Sequence, residues 1–327
     1  MARASAFSKA VWVLFAGSAA LGCLAASGSP FQLKDVAADP AWVVHADCDR
    51  LRPTAIGQFI LSQVEQPDAQ AKLAAFQSIF SFDLRTQLHG LTLYSSSGEP
   101  ADGILLVYAD FDAERLTTLA KAAKQSESTT YKRHVIYNWI DENKEKKEGG
   151  EPRIYASLQG RRIVFGRREE SVAKALDVLD GRTANMSART AFAQLGAADD
   201  DSFLEAGARK LDFANADPSA AVLKLSKVVV LQLGQNQGQV NGMLSLEANN
   251  EQVAGQMEAI GQGLIALLKL QQNKPESAKL ANALSLKQEG NRVILHLRLP
   301  AADTVEIIKA DAERKAAKKK ARENEQK

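Results

Sequence analysis

"ASLQGRRIVFGRREESVAKAL", Ala156 to Leu176, and "LSLKQEGNRVILHLRLPAADTVEII", Leu284 to Ile308, decide the fold. Each is a run of β-formers, a glycine, a returning β-rich run and then an amphipathic helical stripe. Aligned on Gly160 and Gly290, Arg162 falls on Arg292, Ile163 on Val293, Val164 on Ile294 and Phe165 on Leu295. Glycine suits such a tight turn because it reaches positive φ without steric cost. One chain has written the same hairpin-then-helix phrase twice.

The likeness extends upstream. "LTLYSSSGEPADGILLVYADFDAERLTTLAKAAK" (Leu91–Lys124) and "VVVLQLGQNQGQVNGMLSLEANNEQVAGQMEAIG" (Val228–Gly261) both read as hairpin, polar cap and helix. Before the first of them, "AWVVHADCD" is strand-like, Ile56, Phe59, Ile60 and Val64 recur at helical spacing, and Pro67 opens a second helix. "YKRHVIYNWID" reads as one alternating strand, and Gly181 stops the helix that follows the first quoted phrase. "SFLEAGARK" opens the second half as a strand, while "AAVLKLSK" is ambiguous between helix and strand. Hairpins dominate and parallel crossovers are few. The expected class is therefore α+β, with two related domains, each an antiparallel sheet with helices packed on one face. The first spans 38–182 and the second 200–310. A polar connector places the boundary near residue 190, and a basic, helical or disordered tail runs over 311–327.

The chain has 327 residues, 45% hydrophobic and 24% charged, an ordinary globular balance. Its first residues carry Arg3 and Lys9 with no acid, then an apolar run, then "SGSP". This is the grammar of a secretory signal peptide over 1–27. Ala20-Leu21-Gly22-Cys23 also resembles a bacterial lipobox, with Cys23 as the lipidation candidate. Cleavage after Ala25 or Ser27 would instead release a soluble protein. The expected location is the periplasm, or a membrane tether through Cys23. Removal of Arg3 and Lys9 leaves a formally neutral mature chain, with no global pull toward nucleic acid. Cys48 is then the one remaining thiol, so no internal disulfide forms, and its strand-like setting reads as a buried, inert thiol.

Trp42, Val43, Val44, His45 and Asp47, followed by Thr54, Ala55 and Gly57, carry a wider likeness. The chain resembles a broad group of bacterial exported proteins with a signal peptide, a Trp-Val-His-x-Asp strand near the mature start and tandem α+β repeats. The resemblance covers most of the mature chain. It implies export, no assigned activity and no catalytic residue.

Candidate chemistry is sparse. Asp47/Asp49 and Asp110/Asp112 are two Asp-x-Asp phrases at strand ends, able in principle to hold a hard cation. Helix capping by Asp49 and Asp112 is the architectural reading of the same residues. Gly261–Ala266 fits a loose dinucleotide pattern, but sits inside an apolar helical stripe, where close packing explains it. Ser171 and Lys174 form S-x-x-K without its companion motifs. His45, His89, His134 and His296 all fall in strands without zinc-site spacing. Arg161 and Arg167, in a cluster with Arg162 and Arg168, are candidates for contact with a phosphate, lipid headgroup or acidic glycan, against local pairing with Glu169 and Glu170. The basic tail reads as a solvated helix end or as attraction to anionic lipid. The expectation is an exported, non-enzymatic binding or scaffold module with no cofactor, whose partner is an envelope protein, lipid or cell-wall component. The alternative is a metal-dependent hydrolase with a composite site at Asp47, Asp49, Asp110 and Asp112.

Overall fold

The computed structural model describes residues 30–142, 151–188, 191–197, 201–209, 221–270 and 275–325. The signal-peptide segment with Cys23 and the tip of the 142–151 loop lie outside them. The first half runs β1 (Trp42–Asp47), α1 (Cys48–Leu51), α2 (Ala55–Val64), α3 (Pro67–Phe80), β2 (Leu88–Ser95), β3 (Ile104–Ala109), α4 (Ala113–Lys121), β4 (Glu127–Tyr131), β5 (His134–Ile140), β6 (Arg153–Gln159), β7 (Arg162–Gly166) and α5 (Glu169–Leu179). The second half runs β8 (Ser202–Arg209), α6 (Ala221–Lys224), β9 (Ser226–Asn236), β10 (Gln239–Ala248), α7 (Glu251–Lys269), α8 (Pro275–Asn282), β11 (Leu284–Glu289), β12 (Arg292–Pro300) and α9 (Ala301–Glu325).

The class is α+β and the sheet is antiparallel. The twelve strands lie in the order β11-β12-β10-β9-β8-β1-β2-β3-β7-β6-β5-β4. Read outward from the middle, the second half gives β8-β9-β10-β12-β11 and the first gives β1-β2-β3-β7-β6, the same path twice. The quoted hairpins occupy equivalent places, and Gly160 and Gly290 both turn at φ +60°.

Three features differ from the sequence reading. The halves do not carry separate sheets: β1 pairs antiparallel with β8, Trp42 opposite Ala208 and His45 opposite Glu205. Joining them hides two edges of unpaired N–H and C=O groups. Secondly, "YKRHVIYNWID" is not one strand. Lys132, at φ +54°, turns β4 into β5, adding a hairpin with no counterpart among the described residues of the second half. Thirdly, the tail expected from residue 311, helical as one of its two readings had it, is not set off from the second half, since α9 runs unbroken from Ala301 to Glu325. Among the described residues no helix is long and apolar enough to cross a membrane.

Helix placement also departs from one-face packing in the first half. Alternation along β3 sends Leu105, Val107 and Ala109 to one core and Ile104, Leu106 and Tyr108 to the other. The first core packs under Phe76 and Phe80 of α3, with Leu116 and Ala120 of α4. The second packs under Val172, Ala175 and Leu176 of α5, with Phe31 and Val36 from the segment before β1 and Phe192 and Leu195 from the connector. This is why β3 is buried along its whole length. In the second half Leu246, Ala248 and Val293 pack under Val222 of α6 and Ala254 and Met257 of α7. The opposite face there is an open hollow of about 510 Å³, lined by Gln232, Met243, Ser285 and His296 among others.

Candidate functional site

An apolar pocket lies between the first half of the sheet and the helices α3 and α4. Val107, Ile163, Phe165, Ala156, Leu158, Tyr137 and Trp139 form its floor, and Phe76, Phe80, Phe82, Leu116, Thr117 and Ala120 its walls. Thr117, the hydroxyl of Tyr137 and the indole N–H of Trp139 are the polar side-chain groups of this lining. Free space amounts to about 60 Å³ with the helices in place. Its walls carry stacked aromatics, the rings of Phe76 and Phe80 standing 4.5 Å apart.

The helix over this pocket is lightly held. Leu73, Phe76 and Phe80, three and four residues apart, put one stripe on the core with Ile79 beside it. Phe80 is the buried residue among them, and most of the described remainder of α3 is exposed. Pro67 starts the helix without a side-chain cap from Gln66, and Ser81 ends it in the left-handed region at φ +52°. Elements with few buried contacts open at lower cost than the core.

Directly beyond the pocket is a polar hollow of about 380 Å³, lined by Ser81, Gln87, Ala109, Asp110, Phe111, Asp112, Gly160 and Arg161. It continues the same strands. Ala109 follows Val107 by two residues, and Arg161 precedes Ile163 by two, a step of about 6.7 Å on an extended chain. Ser81 sits between the pocket residues Phe80 and Phe82.

A charged cluster borders this hollow. The β2–β3 register shifts between Leu88 and Gly90, leaving His89 as the extra residue. Such bulges re-aim side chains. The His89 ring stands between two carboxylates, Nδ1 at 2.9 Å from Asp49 Oδ2 and Nε2 at 3.0 Å from Asp110 Oδ2. Arg161 reaches Asp110 as an ion pair, and its guanidinium lies 3.2 Å from His89 Nε2. Arg52, almost fully buried, pairs with Asp49 at 2.8 Å and donates to the Leu88 carbonyl at 3.1 Å. Burial lifts Asp49 above the usual carboxylate range, against the opposing effect of its His89 hydrogen bond. Burial pushes Asp110 upward too, but the hydrogen bonds and charges of His89 and Arg161 together outweigh it and hold Asp110 low. Loss of solvation lowers Arg52 to about 10.

The sequence candidates separate in space and in role. Asp47, not Asp49, caps α1, accepting from the Arg50 N–H at 2.9 Å. Asp49 lies inside the helix and faces Arg52 and His89. Asp112 caps α4 through the Arg115 N–H at 3.0 Å, as the capping reading holds. Among the described residues no group of three or more His, Cys, Asp and Glu is arranged to hold a metal. Arg161 and Arg167 do not converge: Arg167 pairs with buried Asp141 at 3.6 Å, beyond the far end of β7. Arg162 takes Asp35 and Arg168 takes Asp102, so the Arg cluster pairs with distant aspartates rather than with Glu169 and Glu170. Ser171 donates to Asp102 at 3.3 Å and Lys174 pairs with Glu170, which leaves S-x-x-K no Ser–Lys contact. Gly261 packs against Leu286 inside α7, where an added Cβ would meet that side chain at 2.5 Å. Cys48 is buried, and burial pushes its thiol up to about 12.

His45 lies under the Phe31 ring at 5.0 Å and bonds Thr92 at 2.8 Å. His134 bonds Asp180 at 2.9 Å, and His296 stands exposed on the open face. Sequence reasoning set His89 aside as a strand histidine without zinc-site spacing and missed Arg52. The signal for His89 was the Gly90 that follows it, since glycine within a strand marks a bulge.

No protein-family model and no curated protein matches the chain. Solved structures to which the chain is similar include crystal form III of TP0453, at 13% identity and a TM-score of 0.47, covering 88% of this chain and all of that one. Crystal form I of TP0453 gives 9% identity and a TM-score of 0.46, covering 87% of this chain and 99% of the other.

Proposed function

We propose that the protein is a non-enzymatic binding module of the bacterial envelope, exported by its N-terminal segment and either free in the periplasm or tethered through Cys23. Its ligand is an apolar chain taken up beneath α3 and α4. The observation that carries this reading is the pocket lining: aromatic and aliphatic side chains almost throughout, under a helix with little buried surface of its own. Apolar surface that such a ligand removes from water supplies the driving force, and α3 moves to admit it. Ligand sites combine an apolar body with a few polar groups at one end, and the hollow at Asp110 and Arg161 supplies that end.

Metal-dependent hydrolysis at Asp47, Asp49, Asp110 and Asp112 is the weaker reading. Two of these carboxylates are engaged as helix caps and two in ion pairs with arginine. Metal held by the purified protein, and lost on D47A and D110A, would favour it.

Trp139 floors the pocket and gives a direct readout. In a Trp42→Phe background Trp139 is the one tryptophan of the mature chain. A decyl chain brominated at mid-length is expected to quench it saturably. Ala156→Leu, which fills the pocket, is expected to abolish the quenching while the protein stays folded. Equal quenching in both proteins would refute the site.

A further inference from the structure

We infer that the ligand is a single-chain amphiphile with an anionic head, and that Arg161 receives the head while the chain lies in the pocket. This rests on the apolar site proposed above and adds its polar end. The geometry supplies three supports. Arg161 precedes Ile163 of the pocket floor by two residues and lines the 380 Å³ hollow whose residues adjoin that floor along the chain. Its present partner is exchangeable: the Arg161 side chain is 69% exposed and Asp110 46% exposed, and exposed ion pairs contribute little. Asp110 also has a second partner, because His89 Nε2 lies 3.0 Å from it. Arg161 can therefore leave for a ligand anion without stranding a carboxylate.

The other basic groups nearby are unsuited to this role. Arg52 is buried on Asp49, and Arg115 bonds the Ile79 and Ser78 carbonyls at the end of α3. The carboxylates that face the site set its selectivity. Asp110 competes with the ligand head for Arg161, and Asp112, engaged on the α4 N-terminus, adds negative charge to the same hollow. A neutral head gains nothing from Arg161, and a cationic head meets its charge.

Calorimetric titration of the mature protein with decanoate, decyl phosphate and neutral decanol tests this. Arg161→Gln is expected to weaken both anions by about tenfold or more and to leave decanol within about twofold. Asp110→Asn, which removes the competitor, is expected to tighten both anions by a few-fold, a gain that general damage to the fold would not produce. Preference between decanoate and decyl phosphate in the parent identifies a carboxylate or a phosphate as the natural head. If R161Q leaves the anions unchanged while A156L still abolishes all three ligands, the headgroup assignment is wrong and the apolar site stands. If the parent binds none of the three, the apolar site fails and this inference with it.

Discussion

The two halves follow one strand path and use it differently. In the second half the α6–α7 layer covers one sheet face, and the other holds Met243, Gln232 and His296 in an open hollow. In the first half both faces are covered, one by α3 and α4 and the other by α5 with the Phe31–Val36 segment and the connector. The first half also carries the extra β4–β5 hairpin, which brings Tyr137 and Trp139 to the pocket floor. Covering a sheet twice makes an interior, and an insertion under a loosely held helix makes a pocket within it. On the function proposed above, the binding chemistry lies in the first half and the second is its structural counterpart.

The largest expected effect falls on the first half. Arg52→Ala removes a buried charge from between α1 and β2 and leaves Asp49 with His89 alone; chemical denaturation should show a loss of about 3–5 kcal/mol. His296→Ala, on the open face, should stay within about 0.5 kcal/mol of the parent. Similar losses at both positions would break the contrast.

Next comes a pair that sharpens the likeness instead. Gly160 and Gly290 turn equivalent hairpins at the same φ of +60°, and at each an added Cβ meets no heavy atom closer than 3.8 Å. Alanine there pays for backbone strain, so G160A and G290A should each cost about 1–2 kcal/mol and agree with each other. A difference between them larger than this would mean that the two turns are not equivalent.

A smaller effect is expected from Ala156→Leu. Where free space exists beside a buried alanine, added methyl groups stabilise by about 0.5–2 kcal/mol, and thermal unfolding should show the melting temperature kept or raised. A fall in melting temperature would mean that the pocket is already full.

The smallest concerns Asp47, whose carboxyl burial raises above its ordinary value. Since the folded form holds its proton more tightly than the unfolded form, stability is lost as pH rises through the window above the ordinary carboxylate value. Asparagine caps helices as well as aspartate does. D47N should therefore equal or exceed the parent by up to about 1 kcal/mol at pH 7, and the gap should close on acidification. A gap that widens toward low pH would reverse the assignment.

Much of the fold was legible because its signals are local. Hairpin glycines, the proline at the start of α3 and the cap at Asp112 act within a few residues of themselves. The repeat made the order of elements legible as well. The union of the two halves was not, because β1 and β8 are 155 or more residues apart in the Trp42–Asp47 and Ser202–Arg209 segments and carry no mark of which edge they seek. Nor was β4, whose Glu127-Ser128-Thr129-Thr130 run is exposed and lacks an apolar face. The candidate site was legible only in part. Arg161 and Asp110 stood out as single residues, but His89 joins them through a bulge, and the pocket needs Phe76, Trp139 and Phe165 from three distant segments.

Hydrogen exchange with and without decanoate tests the central claim most directly, since it reads both halves in one sample. Binding in the first half predicts slowed exchange over α3, α4 and the facing strands β3, β6 and β7, with residues 221–325 unchanged. No protection at α3, or protection confined to the second half, would contradict it.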